Sequence, residues 1–203
     1  MQKLIQLLDA IIPLSAGLEK HLRSKIRRID YQKGDIILAE GAVCQSIFYI
    51  ESGLVRSFYR LNGKEVSNWF MKEGDICISV LSFLRQTPSY DILVALEPCL
   101  CWGITHGQLE ETYKKYPAFN VHGRMISNEY YCRSEERIFA MRRQAPQDKY
   151  EQLMKQDPEL VLRVPNSQMA SYLDVGGRTY DMIRKVYREK MQSMARKNRR
   201  QAG

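Results

Sequence analysis

Between residues 28 and 105 the chain is a succession of short β-prone runs, each closed by a turn signal. The runs cover 35–38, 46–51, 54–60, 66–70, 77–81, 92–96 and 100–104. Lys33-Gly34-Asp35, Glu40-Gly41, Ser52-Gly53, Asn62-Gly63 and Glu73-Gly74 separate most of them. Asn-Gly favours a two-residue hairpin because both positions tolerate positive φ. Regular short strands with such turns predict an antiparallel sandwich or barrel over about 28–105.

The flanks carry a different period. Leu4, Leu7, Leu8, Ile11, Leu18, Leu22 and Ile26 recur at helical spacing, with a break at Pro13. Residues 107–141 are largely helix-compatible, with Pro117 and Gly123 lying within them. Within them Val121, Met125, Asn128, Cys132, Glu135 and Phe139 alternate at spacings of four and three. That seam is either a two-stranded coiled-coil contact or a face packed on the sheets. A break at 145–148, a helix at 149–155 and a stop at Asp157-Pro158 follow. The fold class expected is α+β. Residues 1–106 form N-terminal helices and a jelly-roll barrel, 107–143 a connecting helix, and 144–203 a helical domain with a basic tail.

That last part carries the charge. Of a net +8, the stretch from Arg178 onward holds +7, with nine basic residues against two acidic ones. A polyanion-binding end on a neutral body is implied. Just upstream, Met169, Leu173, Val175, Tyr180 and Ile183 surround Ala170 at offsets of −1, +3, +5, +10 and +13. A small residue where two helices cross, flanked by apolar residues at these offsets, is the spacing of a DNA-binding helix-turn-helix. Its second helix starts near Gly177 and would present Arg178, Thr179, Asp181, Met182 and Lys185 to the major groove. Arg178 suits guanine O6 and N7, and Asp181 a cytosine amine. Arg184, Lys185 and Arg188 are equally suited to phosphates, which position without specifying.

A glycine-punctuated jelly roll, a long helix and then a helix-turn-helix resembles the CRP–FNR superfamily of bacterial transcription regulators. The resemblance spans about 28–190 and rests on Lys33-Gly34-Asp35, Gly41, Ser52-Gly53-Leu54-Val55-Arg56, Gly74-Asp75, Arg163-Val164-Pro165, Met169-Ala170-Ser171-Tyr172-Leu173 and Ile183-Arg184-Lys185. It implies a cytoplasmic homodimer that senses an effector in the jelly roll and reads a palindromic site on double-stranded DNA, with RNA polymerase as a further contact. The dimer helix would use Val121, Met125, Asn128, Cys132 and Phe139.

The departures bear on the effector. Cyclic-nucleotide binders in this family carry Gly-Glu and Arg-Ser in a phosphate cassette. Those places fall here on Ile78-Ser79 and Ser89-Tyr90. A buried phosphate without a cation partner is costly, which argues against cyclic AMP or cyclic GMP. The expected pocket is lined by Ile78, Ser79, Leu81, Phe83, Ser89 and Tyr90, and takes either a weakly polar effector or the chain's own side chains. The effector and cofactor are unknown from the sequence. No cysteine precedes Cys44, so the N-terminal cluster of an iron–sulfur sensor is missing. A haem site would have to use His21, His106 or His122, which read as surface or packing residues. In the reading helix, the family's Thr-Pro-Glu-Thr and Ser-Arg are replaced by Gly176-Gly177-Arg178-Thr179 and Asp181-Met182, which alters the preferred operator. Asp174 stands at the usual turn glycine, and no strand-rich wing follows Ile183.

Other classes fit less well. Residues 30–104 contain no histidine for a cupin metal centre, and no nucleophile–base constellation or P-loop is present, so no enzyme is expected. The apolar run 4–14 is broken by Gln6, Asp9 and Pro13, which argues against a signal peptide, and no stretch suits a membrane span. Five scattered cysteines suit reduced, buried thiols. The rival reading is a ligand-sensing or protein-interaction jelly roll whose helices bind DNA only non-specifically.

Overall fold

The computed structural model describes the backbone of residues 1–143 and 145–201, and the side chains of 1–142 and 145–194. Two compact units result, Met1–Cys132 and Arg133–Gly203.

The first unit opens with α1 (Gln2–Ile11) and α2 (Ala16–Lys25), parted at Pro13 as the sequence predicts. Ser15 caps α2 by accepting from Leu18 N at 3.3 Å. Eight strands follow: β1 (Arg27–Tyr31), β2 (Ile36–Leu38), β3 (Ser46–Ser52), β4 (Val55–Leu61), β5 (Lys64–Met71), β6 (Ile76–Cys77), β7 (Ile92–Ala95) and β8 (Cys99–Thr105). They form two four-stranded antiparallel sheets in the orders β1-β8-β3-β6 and β2-β7-β4-β5. This is the strand order of a double-sheet jelly roll. The expected barrel is thereby corrected: the two sheets do not close on each other. The β4–β5 hairpin turns at Asn62 (φ 51°) and Gly63 (φ 74°), the geometry the Asn-Gly pair predicts.

Two runs depart from the sequence reading. The strand expected over 77–81 pairs only at Ile76–Cys77, because Ser79 ends the extended backbone and α3 (Val80–Arg85) begins. Arg27–Tyr31, mostly polar, was not expected to pair, yet it lines up with β8 from Arg27↔Gly103 to Tyr31↔Cys99. A central partner strand overrides weak local propensity there. Ile50, Leu54 and Val55 are fully buried in this unit's core, and Leu4, Leu8, Leu18 and Leu22 of the two N-terminal helices join them. α4 (His106–Lys115) starts on a capping box between Thr105 and Gln108, and α5 covers Phe119–Arg143.

The second unit contains α6 (Pro146–Gln156), α7 (Pro158–Arg163), α8 (Asn166–Tyr172) and α9 (Gly177–Gln201). Pro146 at the first position starts α6 three residues earlier than the sequence reading, since proline is preset for a first helical turn. Asp157-Pro158 does end α6, but it also starts α7: Asp157 accepts from Leu160 N at 3.1 Å. Met169, Ala170, Leu173, Tyr180 and Ile183 are all buried, while Val175 is half-buried. Asp174 takes φ 53° in the turn, the left-handed geometry expected where glycine is usual. Tyr150 of α6 packs edge-on against Tyr180 and Tyr187 of α9 at 5.7 and 5.4 Å. Among the described residues this unit has no strand.

Candidate effector cassette and nucleic-acid interface

In the first unit the cassette is built where β6, α3 and the entry to β7 meet. Ser79 is the N-cap residue of α3, but its hydroxyl makes no cap bond. It instead lies 2.9 Å from Ser89 Oγ and donates to Asp91 Oδ2 at 3.2 Å. Asn68 Nδ2 of β5 donates to Asp91 Oδ1 at 3.3 Å, and the Ser57 hydroxyl of β4 hydrogen-bonds to the same carboxylate. Asp91, Ser57, Ser79 and Ser89 are all buried. Burial pushes the Asp91 carboxyl above the ordinary carboxylate range, and the Ser79, Asn68 and Ser57 bonds offset part of that rise.

Of the residues expected to line a pocket, Ser79 and Ser89 meet directly. Phe83 is buried and packs edge-on against His106 at 5.0 Å. Ile78 is half-buried. Leu81 and Tyr90 are 44% and 51% exposed, so both face solvent and Tyr90 does not plug the interior. Its ring meets Tyr59 edge-on at 6.3 Å. Asp91 was missed, because its charge is opposite to the one sought at these places. Arg85 ends α3 exposed. Arg56 is buried but engaged: it donates to Ser67 Oγ at 2.9 Å and Glu65 Oε2 at 2.6 Å, and lies 4.3 Å from the Phe58 ring centre.

Two buried histidines of the first unit are tied into its packing. His21 Nε2 pairs with Thr112 Oγ1 at 3.1 Å, and His122 Nε2 with Ile12 O at 3.0 Å. Cys44, Cys77, Cys99 and Cys101 are buried free thiols, while Cys132 is exposed. Burial raises Cys77 strongly and pushes Cys101 up to about 12, which keeps both protonated and unreactive at neutral pH. No group of three or more metal-ligating side chains occurs among the described residues.

On α5, Met125, Asn128, Cys132, Glu135 and Phe139 are exposed and Val121 is half-buried. The four-three spacing is therefore a stripe open to solvent along most of its length.

In the second unit, the first turns of α9 present Arg178, Asp181, Met182, Lys185 and Arg188 to solvent, whereas Thr179 is half-buried. Met182 is 61% exposed, on the face opposite Tyr180 and Ile183. Arg184 is half-buried and held: Nη1 donates to Asn166 Oδ1 at 2.6 Å. Asn166 Nδ2 in turn donates to Asp181 Oδ1 at 3.3 Å. Asn166, at the start of α8, thus bridges two of the candidate residues and was not singled out in the sequence. The last carbonyls of α8 also find side-chain donors. Arg137 donates to Tyr172 O at 2.9 Å and stacks 3.7 Å over its ring, and Lys149 donates to Leu173 O at 3.3 Å. Both cations suit a helix C-terminus. Lys190 pairs with Glu151 at 3.0 Å. The basic tail side chains Arg196, Lys197, Arg199 and Arg200 lie outside the described residues.

Residues 28–116 match the family described as cyclic nucleotide-binding domain. FixK2 from Bradyrhizobium japonicum is similar over 81% of this chain and 85% of its own, with a TM-score of 0.71 at 13% identity. A transcriptional regulator of the crp/fnr family from Eubacterium rectale is similar over 87% of this chain and 85% of its own, with a TM-score of 0.68 at 14% identity. The chain shares the fold of these solved structures. CooA from Carboxydothermus hydrogenoformans, in a double-mutant form, is similar over 87% of this chain and 80% of its own, with a TM-score of 0.65 at 14% identity. No curated protein matches by sequence. Within this shared fold, the cluster formed by Ser79, Ser89 and the buried Asp91 has no arginine among them. No helix among its described residues is long and apolar enough to cross a membrane.

Proposed function

We propose that the chain is a dimeric DNA-binding transcription regulator of CRP–FNR type, with α8 and α9 as its helix-turn-helix and residues 177–188 as the reading helix. The observation that carries this is the solvent-facing set Arg178, Asp181, Met182, Lys185 and Arg188 on one side of α9, opposite the buried Tyr180 and Ile183. A helix anchored on one face and open on the other can enter a major groove by its N-terminal turns. The exposed α5 stripe supports a two-fold dimer, and a dimer calls for a palindromic operator whose half-sites lie about one DNA turn, or a multiple of it, apart. The jelly roll serves as the sensory part, and catalysis is not part of the reading.

The Asn166 bridge favours a second reading in one respect. It occupies both Asp181 and Arg184, which leaves Arg178 and Lys185 to supply most base contacts. If they fail to do so, the second unit binds DNA through phosphates alone. Gel shifts with competitor DNA decide between the two. The regulator reading expects Arg178→Ala to weaken an operator complex by roughly 5–100-fold while leaving random-duplex binding nearly unchanged. Equal weakening on both duplexes would contradict it.

A further inference from the structure

Three side-chain donors from separate elements converge on one carboxylate inside the jelly roll: Ser57 from β4, Asn68 from β5 and Ser79 at the head of α3, with Ser89 beside Ser79 and bonded to the Asp91 backbone. A convergent set of hydroxyl and amide donors in a buried place is a seat for an anion, since each N–H or O–H there is costly to leave unmet. Its occupant is the chain's own Asp91, whose two carboxylate oxygens accept from Asn68 and Ser79. Ser79 has turned away from capping α3 to face it, forgoing a bond that helix N-termini ordinarily use.

We propose that the anion seat of the jelly roll is filled from within by the Asp91 carboxylate, so that phosphate- and carboxylate-bearing effectors are excluded and the sensory unit holds its fold without one. The Asp91 carboxylate already occupies these donors, and a second anion there meets like-charge repulsion with no cation among the seat's described hydrogen-bond partners to relieve it. The guanidinium of Arg56 is committed to Glu65 and Ser67, so it supplies no such relief. Removing the Asp91 carboxylate leaves the donors in place and creates a latent site of matching size. That site takes formate, the smallest free carboxylate.

The inference rests on reading the jelly roll as a sensory domain, but its test does not involve DNA. Asp91→Ala lowers Tm, and tens of millimolar sodium formate then raises it by about 2–4 °C more than sodium chloride of equal ionic strength does. Wild type shows no such difference. Asp91→Asn keeps the volume but places an NH2 group among donors, so it is destabilised and formate does not restore it. A measurement on wild type alone covers the case in which the variants fail to fold. Millimolar cyclic AMP, inorganic phosphate or acetate leaves the amide resonances of Ser79, Ser89 and Asp91 unmoved. A saturable shift with any of the three overturns the proposal, as does an equal formate effect on wild type and Asp91→Ala. A failure to bind DNA would leave all of these readouts intact.

Discussion

Asp91 shows how one residue sets a pH response. Burial raises its carboxyl above the ordinary range, so between the unfolded value and the raised folded one the folded state holds a proton that the unfolded chain has already released. Stability from this group is greatest below the unfolded value and falls as pH rises toward the raised folded value. Urea titrations of wild type and Asp91→Asn across mildly acidic pH should show wild type losing stability relative to the variant through that window. A flat difference would mean that the carboxyl is not perturbed. Gly53 gives a second residue-scale prediction. At φ +105° its added Cβ would meet Pro98 O and Cys99 Sγ at 2.6 Å and Cys99 Cα at 2.8 Å. Gly53→Ala should cost about 3–5 kcal/mol through strain and overpacking combined. Gly74 has φ +89° with nothing within 4 Å of the new atom, so Gly74→Ala should cost only about 1–2 kcal/mol. Chemical denaturation of both variants checks the ordering. Gly53 and Gly74 both belong to the turn pattern legible in the sequence, but only the fold distinguishes them, because the crowding at Gly53 comes from residues some 45 positions away.

Among the elements, those defined by local chemistry were legible and those defined by partners were not. The Asn62-Gly63 hairpin, the break at Pro13 and the left-handed Asp174 each follow from the backbone preferences of one or two residues. β1 was not legible, because Arg27–Tyr31 is held by its pairing to β8 rather than by its own composition. The Asp91 seat was hidden for a related reason: its donors are scattered from Ser57 to Ser79, and no local pattern marks them as neighbours. α8 depends on its surroundings too. At seven residues it is short, and its core is Met169 and Ala170, with Arg137 and Lys149 on its last carbonyls. Met169→Ala should destabilise the second unit by roughly 2–5 kcal/mol. Hydrogen exchange should report the loss in α8 and α9 while the strands of the first unit keep their protection. Equal loss in the strands would mean that the two units unfold together.

At the scale of the whole molecule, α5 and α9 each carry an exposed face, the one proposed for dimerisation and the other for DNA. Phe139 is 55% exposed, so Phe139→Glu removes little from the monomer's own core. If the stripe is a dimer seam, sedimentation should show that variant shifted toward monomer, with its operator affinity reduced by tenfold or more as half-sites bind singly. An unchanged dimer would place the interface elsewhere. The concentration of charge toward the C-terminus adds a further expectation, that affinity falls steeply with salt, each phosphate contact adding about 0.9 to the log–log slope. The central claim, sequence-specific reading by the 177–188 helix, is tested most directly by selecting duplexes from a random pool with the purified protein and no added effector. The expected result is one enriched inverted repeat with half-sites about one helical turn or a multiple apart, and loss of that enrichment with Arg178→Ala. Retained duplexes with no common sequence would contradict it.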